Sequence, residues 1–280
     1  MLVNFIDMLK KAKKNNYAVP HFNINNLEWT KFILEKCENL QIPVILGVSA
    51  NAACYMGGWS VCRSLVESLI KSLNITIPVC LHVDHGTKED CISAIDAGFT
   101  SVMIDASQFD ISKNIRITKE VVEYAHSKNV SVEAEVGSLR NNKNIENYAS
   151  LDECIRLCNE TKIDALAPAI GNAHGIYIEK PKLNFDLLQN ISNNTDIPLV
   201  LHGGSGICEK DIKKLIHFGI SKININTDLQ IAWKKGLMKY INENKTIYDP
   251  RKIMTSTKVY FDDKIEELVT LFETKRVTDL

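Results

Sequence analysis

Short apolar runs rich in β-branched residues recur eight times along the 280-residue chain, and a segment of helical periodicity follows each run. Strict alternation of this kind predicts parallel strands joined by helical crossovers, and eight repeats in one unit predict a closed barrel. An open doubly wound sheet is the lesser alternative. We therefore expect an α/β protein with a single (β/α)8 TIM-barrel domain that spans residues 1–280.

The predicted elements follow the repeat. The strands are Tyr17–Phe22, Pro43–Ser49, Pro78–Asp84, Thr100–Asp105, Val130–Val136, Ala165–Ile170, Pro198–Leu201 and Lys222–Asn226. The helices between them are Leu27–Leu40, Trp59–Leu73, Lys88–Ala97, Ile111–Ser127, Leu151–Glu160, Phe185–Asn193, Glu209–Phe218 and Asp228–Asn242. Two further helices are expected: a leading one at Asn4–Asn15, which could close the barrel bottom, and a trailing one at Asp262–Lys275. The loops Ser49–Gly58 and Gly137–Ser150 should be the longest on the top face, where such barrels build their sites.

Charge and cysteine content exclude several kinds of partner. Lysine and arginine number 33 against 34 aspartate and glutamate, which leaves a formal net charge of -1, so no basic field indicates nucleic acid or an anionic membrane. No stretch approaches the length of a membrane span, and the first residues lack a secretory-signal pattern. The eight cysteines form no Cys-x-x-Cys pair, which favours reduced thiols and a cytoplasmic location.

Three apolar runs end in a histidine and then a glycine. They lie at 81–86, 167–175 and 198–206, and they place His85, His174 and His202 at or just past the ends of strands three, six and seven. A single histidine in a barrel is more often a satisfied core or surface residue, but three such coincidences at one mouth favour a metal site. Three imidazoles with an open fourth position are the ligand set of a catalytic zinc, with Zn–N distances of about 2.0 to 2.1 Å.

Carboxylates accompany these histidines. Asp84 directly precedes His85, and successive side chains of an extended strand point to opposite faces. If the chain bends there, Asp84 can stand beside the metal and move protons; otherwise it orients an imidazole. Glu133 and Glu135 share one face of strand five and Asp105 ends strand four, so acidic groups should face the metal. We interpret His21 and His82 as structural.

The end of strand eight supplies a second kind of group. Backbone N–H groups and the Thr227 hydroxyl are expected beside the small residues 203–205, and loops after strands seven and eight are the usual phosphate cradle of this barrel. A metal beside a phosphate site suggests a phosphorylated ketose as substrate, because the metal can polarise the carbonyl and make the adjacent proton removable.

Eight motifs spread over nearly the whole chain resemble the class II zinc-dependent ketose-bisphosphate aldolases, which include fructose-1,6-bisphosphate and tagatose-1,6-bisphosphate aldolases. They are Tyr-Ala-Val-Pro-His-Phe-Asn-Ile at 17–24, His-Val-Asp-His-Gly at 82–86, Ser-Val-Met-Ile-Asp-Ala-Ser at 101–107, Ser-Val-Glu-Ala-Glu-Val-Gly at 131–137, Gly-Asn-Ala-His-Gly at 171–175, Leu-His-Gly-Gly-Ser-Gly-Ile at 201–207, Lys-Ile-Asn-Ile-Asn-Thr-Asp at 222–228 and Asp-Pro-Arg-Lys at 249–252.

The resemblance implies a role for each matching residue. His85, His174 and His202 would bind Zn²⁺, and Asp84 would act as acid and base at the oxygen that becomes the C4 hydroxyl. The substrate-binding residues would be Asn23, Ser49, Gly175, Gly203, Gly204, Ser205, Asn224, Ile225, Asn226 and Thr227. Arg251 would reach the second phosphate in a neighbouring subunit of a homodimer or homotetramer. A monovalent cation, Na⁺ or K⁺, is expected near the glycine loops.

Two stretches depart from the family pattern. Family members usually carry a lid with Gly-Gly-x-Glu-Asp after the strand-five motif, and its glutamate takes the ketose proton. Here residues 138–146 read Ser-Leu-Arg-Asn-Asn-Lys-Asn-Ile-Glu, with Lys143 about where the glutamate is expected. Either Glu146 substitutes as the catalytic base, or the proton step and the substrate preference have changed. The family's Ala-Phe also becomes His21-Phe22, which would add a polar group near the mouth.

These observations leave several functions open. The leading hypothesis is retro-aldol cleavage of a ketose 1,6-bisphosphate of the fructose type. The altered lid motivates two alternatives: an aldolase for tagatose-1,6-bisphosphate or another ketose 1-phosphate, and a phosphosugar-binding relative without turnover. A zinc hydrolase on the same barrel is disfavoured, because such sites usually begin with paired histidines on strand one and this strand has only His21.

Overall fold

The computed structural model of the protein describes residues 2–137, 148–175, 177 and 179–279. Within them, eight parallel strands form a closed barrel in chain order. The strands are β1 (Val19–Asn23), β2 (Val44–Ser49), β3 (Val79–Gly86), β4 (Ser101–Ile104), β5 (Ser131–Val136), β6 (Ala165–Pro168), β7 (Leu199–Leu201) and β8 (Ile220–Ile225). Pairing of β1 with β8 closes the barrel. The (β/α)8 prediction is therefore confirmed, and the open sheet is excluded.

Helices surround the barrel. In the described part of the chain they are α1 (Ile6–Asn15), α2 (Leu27–Leu40), α3 (Ala50–Met56), α4 (Trp59–Ser72), α5 (Lys88–Asp96), α6 (Ile111–Ser127), α7 (Leu151–Thr161), α8 (Phe185–Asn194), α9 (Glu209–His217), α10 (Thr227–Glu243), α11 (Pro250–Thr255) and α12 (Lys258–Leu271), with a 3₁₀ turn at Val277–Asp279. The eight crossover helices agree with the predicted ones to within a few residues.

Two short helices were not predicted. The stretch expected as the loop Ser49–Gly58 contains α3, which begins where the Ser49 hydroxyl accepts a hydrogen bond of 3.2 Å from the Ala52 N–H. Helix α11 begins at Pro250, after an Asp249 side chain that caps its first turn. The trailing helix α12 starts at Lys258 instead of Asp262. Helices this short carry too little periodicity to be distinguished from loops.

The leading helix closes the bottom of the barrel, as predicted. The residues of this plug are Phe5, Met8, Leu9 and Ala12, and they pack in one buried cluster with inward-facing strand residues, among them Val19, Ile45, Cys80 and Val200. Full burial of one such side chain contributes about 1.5–3 kcal/mol. The plug keeps water out of this end, so solvent reaches the barrel interior from the opposite mouth.

The layer above this plug is polar. Alternation along each strand turns Ile223 and Ile225 toward the outer core and turns Lys222 and Asn224 into the barrel. The other members of the layer are His21, His82, Ser101 and Glu133, all fully buried. His21 lies within this interior and not near the mouth, so the expectation that it adds a polar group at the mouth is wrong.

Candidate active site

A cavity of about 260 Å³ opens at the carboxyl end of the barrel, where the strands meet their following loops. Each described residue that lines it comes from a strand end or from the loop or helix that follows. They are Asn23, Asp84, His85, Asp105, Glu135, His174, Gly175, His202, Gly203, Ser205, Asn224, Asn226 and Thr227. The predicted histidines and Asp84 thus share one cavity with seven of the predicted substrate-binding residues.

The three strand-end histidines form a triangle. Ring centroids are 4.6 Å apart between His85 and His202, 4.8 Å between His85 and His174, and 5.8 Å between His174 and His202. One ring nitrogen of each lies within 4.8 Å of the corresponding nitrogens of the other two. This spacing suits three nitrogens around a single metal ion.

A bend in β3 brings two consecutive side chains to this cavity. His85 has a φ of 52°, the left-handed region that non-glycine residues rarely adopt, and the pairing of β3 with β4 shifts register between Val83 and Gly86. Without this bend, Asp84 and His85 would point to opposite faces of the strand. The condition under which Asp84 could stand beside a metal is therefore met.

The hydrogen bonding of His85 fits a metal ligand. Its Nδ1 lies 3.2 Å from Asp105 Oδ2, whereas its buried Nε2 has no hydrogen-bond partner among the described residues. A buried nitrogen without a partner is costly unless it binds something. Burial disfavours the imidazolium form, but the hydrogen bond to Asp105 and the carboxylates of Asp84 and Glu135 outweigh it and raise the pKa of His85 to about 9. The acidic surroundings therefore attract a positive charge at this ring.

His202 is held from the barrel interior. Its Nε2 lies 2.8 Å from Glu133 Oε1, and its Nδ1 faces Asn224, whose amide nitrogen is 3.2 Å away. Burial, followed by the charges of His85 and Lys222, keeps the pKa of His202 well below its ordinary value. The ring is therefore neutral, which is the form that binds a metal.

A second group of possible ligands overlaps the first. Atoms of His85, Asp105 and Glu135 also lie within 4.8 Å of one another. This arrangement matches the expectation that acidic groups face the histidines from strands four and five. Glu133 differs from it, since it contacts His202 from below the cavity and does not line it.

Asp84 is an ionised carboxylate at the cavity wall. Its Oδ2 accepts a hydrogen bond of 2.8 Å from Asn23, and its Oδ1 accepts one of 3.3 Å from Asn224. Burial alone would raise the pKa of Asp84, but the neighbouring imidazoles, His85 foremost, and the bond from Asn23 hold it below the ordinary range. Asp84 is thus ionised, and both of its oxygens are acceptors only.

Close contact between two loops shapes the glycine-rich side of the cavity. Gly203 has a φ of 62°, and a Cβ at this position would overlap the carbonyl oxygen of Ala173, so a larger residue cannot be accommodated. Tyr177 joins the same loops, because its hydroxyl accepts from the Ala173 N–H and donates to the Gly203 carbonyl, both at 2.9 Å. Asn172 donates to the His202 carbonyl at 2.8 Å. Sequence reasoning missed Tyr177 and Asn172, although their position beside His174 is a signal that could have found them.

The start of α10 meets these loops. Asn226 and Thr227 line the cavity at the helix N-terminus, and Ser205 Oγ accepts a hydrogen bond of 3.3 Å from the Asp228 N–H. Helix N-termini carry unpaired N–H groups and a partial positive charge, which favour a phosphate. Among the described residues the lining includes no lysine, so the groups offered to an anion at this end are N–H and hydroxyl groups.

Some predicted site residues lie elsewhere. Gly204 and Ile225 do not line the cavity: the Gly204 N–H donates to Asn224 O at 3.2 Å, and the Ile225 side chain is in the outer core. Ser49 lines a neighbouring cavity and caps α3. Arg251 is 89% exposed and pairs with Asp249 at 2.9 Å. Within this chain, the first cavity therefore receives none of these four side chains.

The predicted lid falls outside the described residues. Glu146, the candidate base, and Lys143 both belong to residues 138–147. Their roles stay predictions.

Three strand-end histidines and an ionised carboxylate at the carboxyl mouth of a closed (β/α)8 barrel are the arrangement typical of a metal-dependent barrel enzyme. The chain belongs to the class II fructose-bisphosphate aldolase family, whose model, described as "Fructose-bisphosphate aldolase class-II", matches residues 3–276. Membership makes the protein an aldolase, a lyase of the metal-dependent class.

Known relatives agree with this assignment over most of their length. A fructose-bisphosphate aldolase of Staphylococcus aureus is 49% identical over 279 residues, 98% of both chains. A fructose-bisphosphate aldolase of Geobacillus stearothermophilus is 49% identical over 259 residues, 90% of both. Among solved structures, the YdjI aldolase from Escherichia coli K12 has a TM-score of 0.86, 33% identity and 98% coverage of both chains. No described helix is long and apolar enough to cross a membrane.

Proposed function

We propose that the protein catalyses the reversible retro-aldol cleavage of fructose-1,6-bisphosphate to dihydroxyacetone phosphate and an aldehyde. The observation that carries the proposal is the triangle of His85, His174 and His202 beside the ionised Asp84. The names of the relatives favour fructose-1,6-bisphosphate over tagatose-1,6-bisphosphate, another ketose 1-phosphate or a relative without turnover.

The metal of this site is proposed to be Zn²⁺, held by His85, His174 and His202. Three imidazoles with an open fourth position are its usual catalytic ligand set. When bound, the ion supplies Lewis-acid polarisation of the ketose carbonyl. Asp105 and Glu135 support this ligand set electrostatically, since both carboxylates lie within 4 Å of His85 Nδ1.

Asp84 is the proposed acid and base at C4. In the cleavage direction it accepts the proton of the C4 hydroxyl as the C3–C4 bond breaks, and in condensation it returns that proton. Its low pKa keeps it in the accepting form, and the hydrogen bond from Asn23 orients it. General acid-base groups of this kind contribute typically about 10²- to 10⁴-fold in rate.

The dihydroxyacetone phosphate end is proposed to bind at the glycine loops. Its phosphate would accept from the N–H groups of Gly203, Ser205 and the α10 N-terminus, and from the Thr227 hydroxyl. Gly175 and Asn226 complete this end of the cavity. A monovalent cation, Na⁺ or K⁺, is proposed beside these loops, where it would balance the phosphate charge.

The far end of the ketose is proposed to enter the neighbouring cavity. This space of about 610 Å³ shares Asn23 and Asn226 with the first cavity and includes Ser49 and Lys234 in its lining. Lys234 brings a positive charge that suits a second phosphate. Arg251 is proposed to reach the same phosphate from a neighbouring subunit, which requires a homodimer or homotetramer.

In condensation, Glu146, the nearest carboxylate to Lys143 along the chain, is proposed to remove the C3 proton of dihydroxyacetone phosphate; in cleavage it returns a proton to that carbon. A cytoplasmic location is proposed as well, supported by eight free cysteines.

Release of triose phosphate tests the function. The purified protein is incubated with fructose-1,6-bisphosphate, tagatose-1,6-bisphosphate and other ketose phosphates, with and without a chelator. Chelator-sensitive release from fructose-1,6-bisphosphate, faster than from the others, supports the proposal. Binding of these sugars without release at any metal loading would overturn it in favour of a sensor, and phosphate release without carbon–carbon cleavage would point to a hydrolase.

A further inference from the structure

A chain of hydrogen bonds leads from His202 into the closed interior of the barrel. His202 Nε2 lies 2.8 Å from Glu133 Oε1, and Lys222 Nζ donates to Glu133 Oε2 at 2.7 Å. The three side chains come from β5, β8 and the end of β7, and each is at most 1% exposed. The metal site is thus joined to a buried ion pair that does not line the cavity.

The donors and acceptors of these three side chains allow only one arrangement of protons on His202. The Lys222 ammonium can only donate, and an ionised carboxylate can only accept. Glu133 therefore accepts from Lys222 through one oxygen and from His202 Nε2–H through the other. A neutral imidazole carries one N–H, so Nδ1 carries a lone pair and no proton, which agrees with the Asn224 amide N–H₂ that faces it at 3.2 Å.

That lone pair points toward the cavity. Nδ1 is the ring nitrogen that faces Asn224, 3.2 Å away, and Asp84, 4.0 Å away, both of which line the cavity. The other tautomer would direct an N–H at this side and could not bind a metal there. The hydrogen bonds of Glu133 and Lys222 below the cavity thus decide which tautomer His202 adopts, and so whether it can act as a ligand.

Stability alone does not account for the pair. Removing two charges from water is costly, and well-packed apolar residues often stabilise a core equally well. Groups that hydrogen-bond a ligand histidine, in contrast, commonly set its tautomer and change metal affinity by about 10- to 100-fold. A positioning role explains why a carboxylate and an ammonium occupy this interior.

We propose that Glu133, fixed by Lys222, is a positioning residue that holds His202 as its Nε2–H tautomer and so leaves Nδ1 free to bind the metal. The inference rests on the metal site of the proposed function and does not depend on which sugar is cleaved. Its test therefore measures zinc binding and the tautomer, and not turnover.

The first test substitutes the carboxylate. Glu133→Gln retains the shape but has a single acceptor oxygen, which Lys222 requires, so the amide N–H₂ turns to His202 and imposes the other tautomer. Zinc affinity, measured by competition with a chromophoric chelator, should fall about 10- to 100-fold. The double variant Glu133→Gln/Lys222→Met frees that oxygen for His202 and should recover most of the loss. An affinity of Glu133→Gln within twofold of wild type overturns the role of Glu133, and no recovery in the double variant overturns that of Lys222.

Ser101, one contact further from His202 than Glu133 is, offers a matched control. Ser101 Oγ is 2.8 Å from His82 Nδ1, in the same buried layer, and donates to the Ser131 carbonyl at 3.4 Å. Ser101→Ala should leave zinc affinity within twofold of wild type. If Ser101→Ala and Glu133→Gln lost zinc affinity equally, the effect would come from general loosening of the interior, and the proposal would be overturned.

A second measurement needs no variant. Histidine ¹⁵N NMR of the metal-free wild-type protein distinguishes the tautomers, and the His202 signal, assigned by its loss in His202→Ala, should be that of the Nε2–H form. The Nδ1–H form would overturn the proposal even if Glu133→Gln does not fold. Absence of zinc binding by the wild-type protein would instead overturn the metal site itself, so the two failures are distinguishable.

Discussion

Asn23 donates a hydrogen bond of 2.8 Å to Asp84 across the mouth of the barrel, from β1 to β3. The bond occupies Oδ2 of the carboxylate, while Oδ1 accepts a longer bond from Asn224 at 3.3 Å. The hydrogen bonds of Asp84 therefore come from two amides, which agrees with a role in proton transfer.

Asp84→Ala should keep the fold and the zinc but lose most turnover. The change removes a proton acceptor and no proposed ligand, so kcat should fall about 10²- to 10⁴-fold. Zinc content by elemental analysis and steady-state rates on fructose-1,6-bisphosphate measure the two effects separately. Loss of zinc from this variant would show instead that Asp84 binds the metal or orients a ligand.

Chelation should abolish activity, and added zinc or cobalt should restore it. His202→Ala should lose the metal while the circular dichroism spectrum stays that of the wild type, because the side chain lies at the end of β7 and not in the apolar core. The assignment would fail if His85→Ala, His174→Ala and His202→Ala each retained one zinc per chain.

Glu146→Gln should slow exchange of the C3 proton of dihydroxyacetone phosphate with solvent, since it removes the proposed base. Zinc content should not change. Exchange is followed by NMR in deuterated buffer, with Lys143→Gln as a control that alters the neighbouring charge and leaves the carboxylate. An unchanged exchange rate in Glu146→Gln would exclude it as the base.

Gly47→Ala should destabilise the protein because a Cβ at this position would overlap the imidazole of His21. Overpacking of this kind costs typically about 1–3 kcal/mol. The double variant Gly47→Ala/His21→Ala removes the clash, so its two changes should be clearly non-additive in urea unfolding. Equal stability of Gly47→Ala and wild type would show that His21 can leave this position at no cost.

Thiol reactivity should follow burial. Cys54 and Cys208 are exposed and should react first with a disulfide reagent at pH 8. Burial raises the pKa of Cys80 to about 12, so its reactive thiolate stays scarce at this pH, and raising the pH to 9 should not release it. Modification counts by mass spectrometry check this, and rapid labelling of Cys80 in the folded protein would contradict it.

Much of this molecule could be predicted from local pattern. Apolar runs and helical periodicity gave the eight strands and crossover helices, because burial of one face imposes its period on the chain. The strand-end positions of His85, His174 and His202 followed, and with them their meeting at one mouth. Helices α3 and α11 could not be predicted, since their six or seven residues depend on single capping contacts.

The sequence by itself thus determined the barrel, the metal-binding histidines as a hypothesis and the family resemblance, since all of these depend on residue types at spacings along the chain. Only the tertiary structure decided the left-handed bend at His85, which turns Asp84 and His85 into the same cavity. It alone joined His202 to Glu133 and Glu133 to Lys222, residues 69 and 89 positions apart. Such contacts depend on the register at which the barrel closes, and that register is set by the packing of all eight strands together.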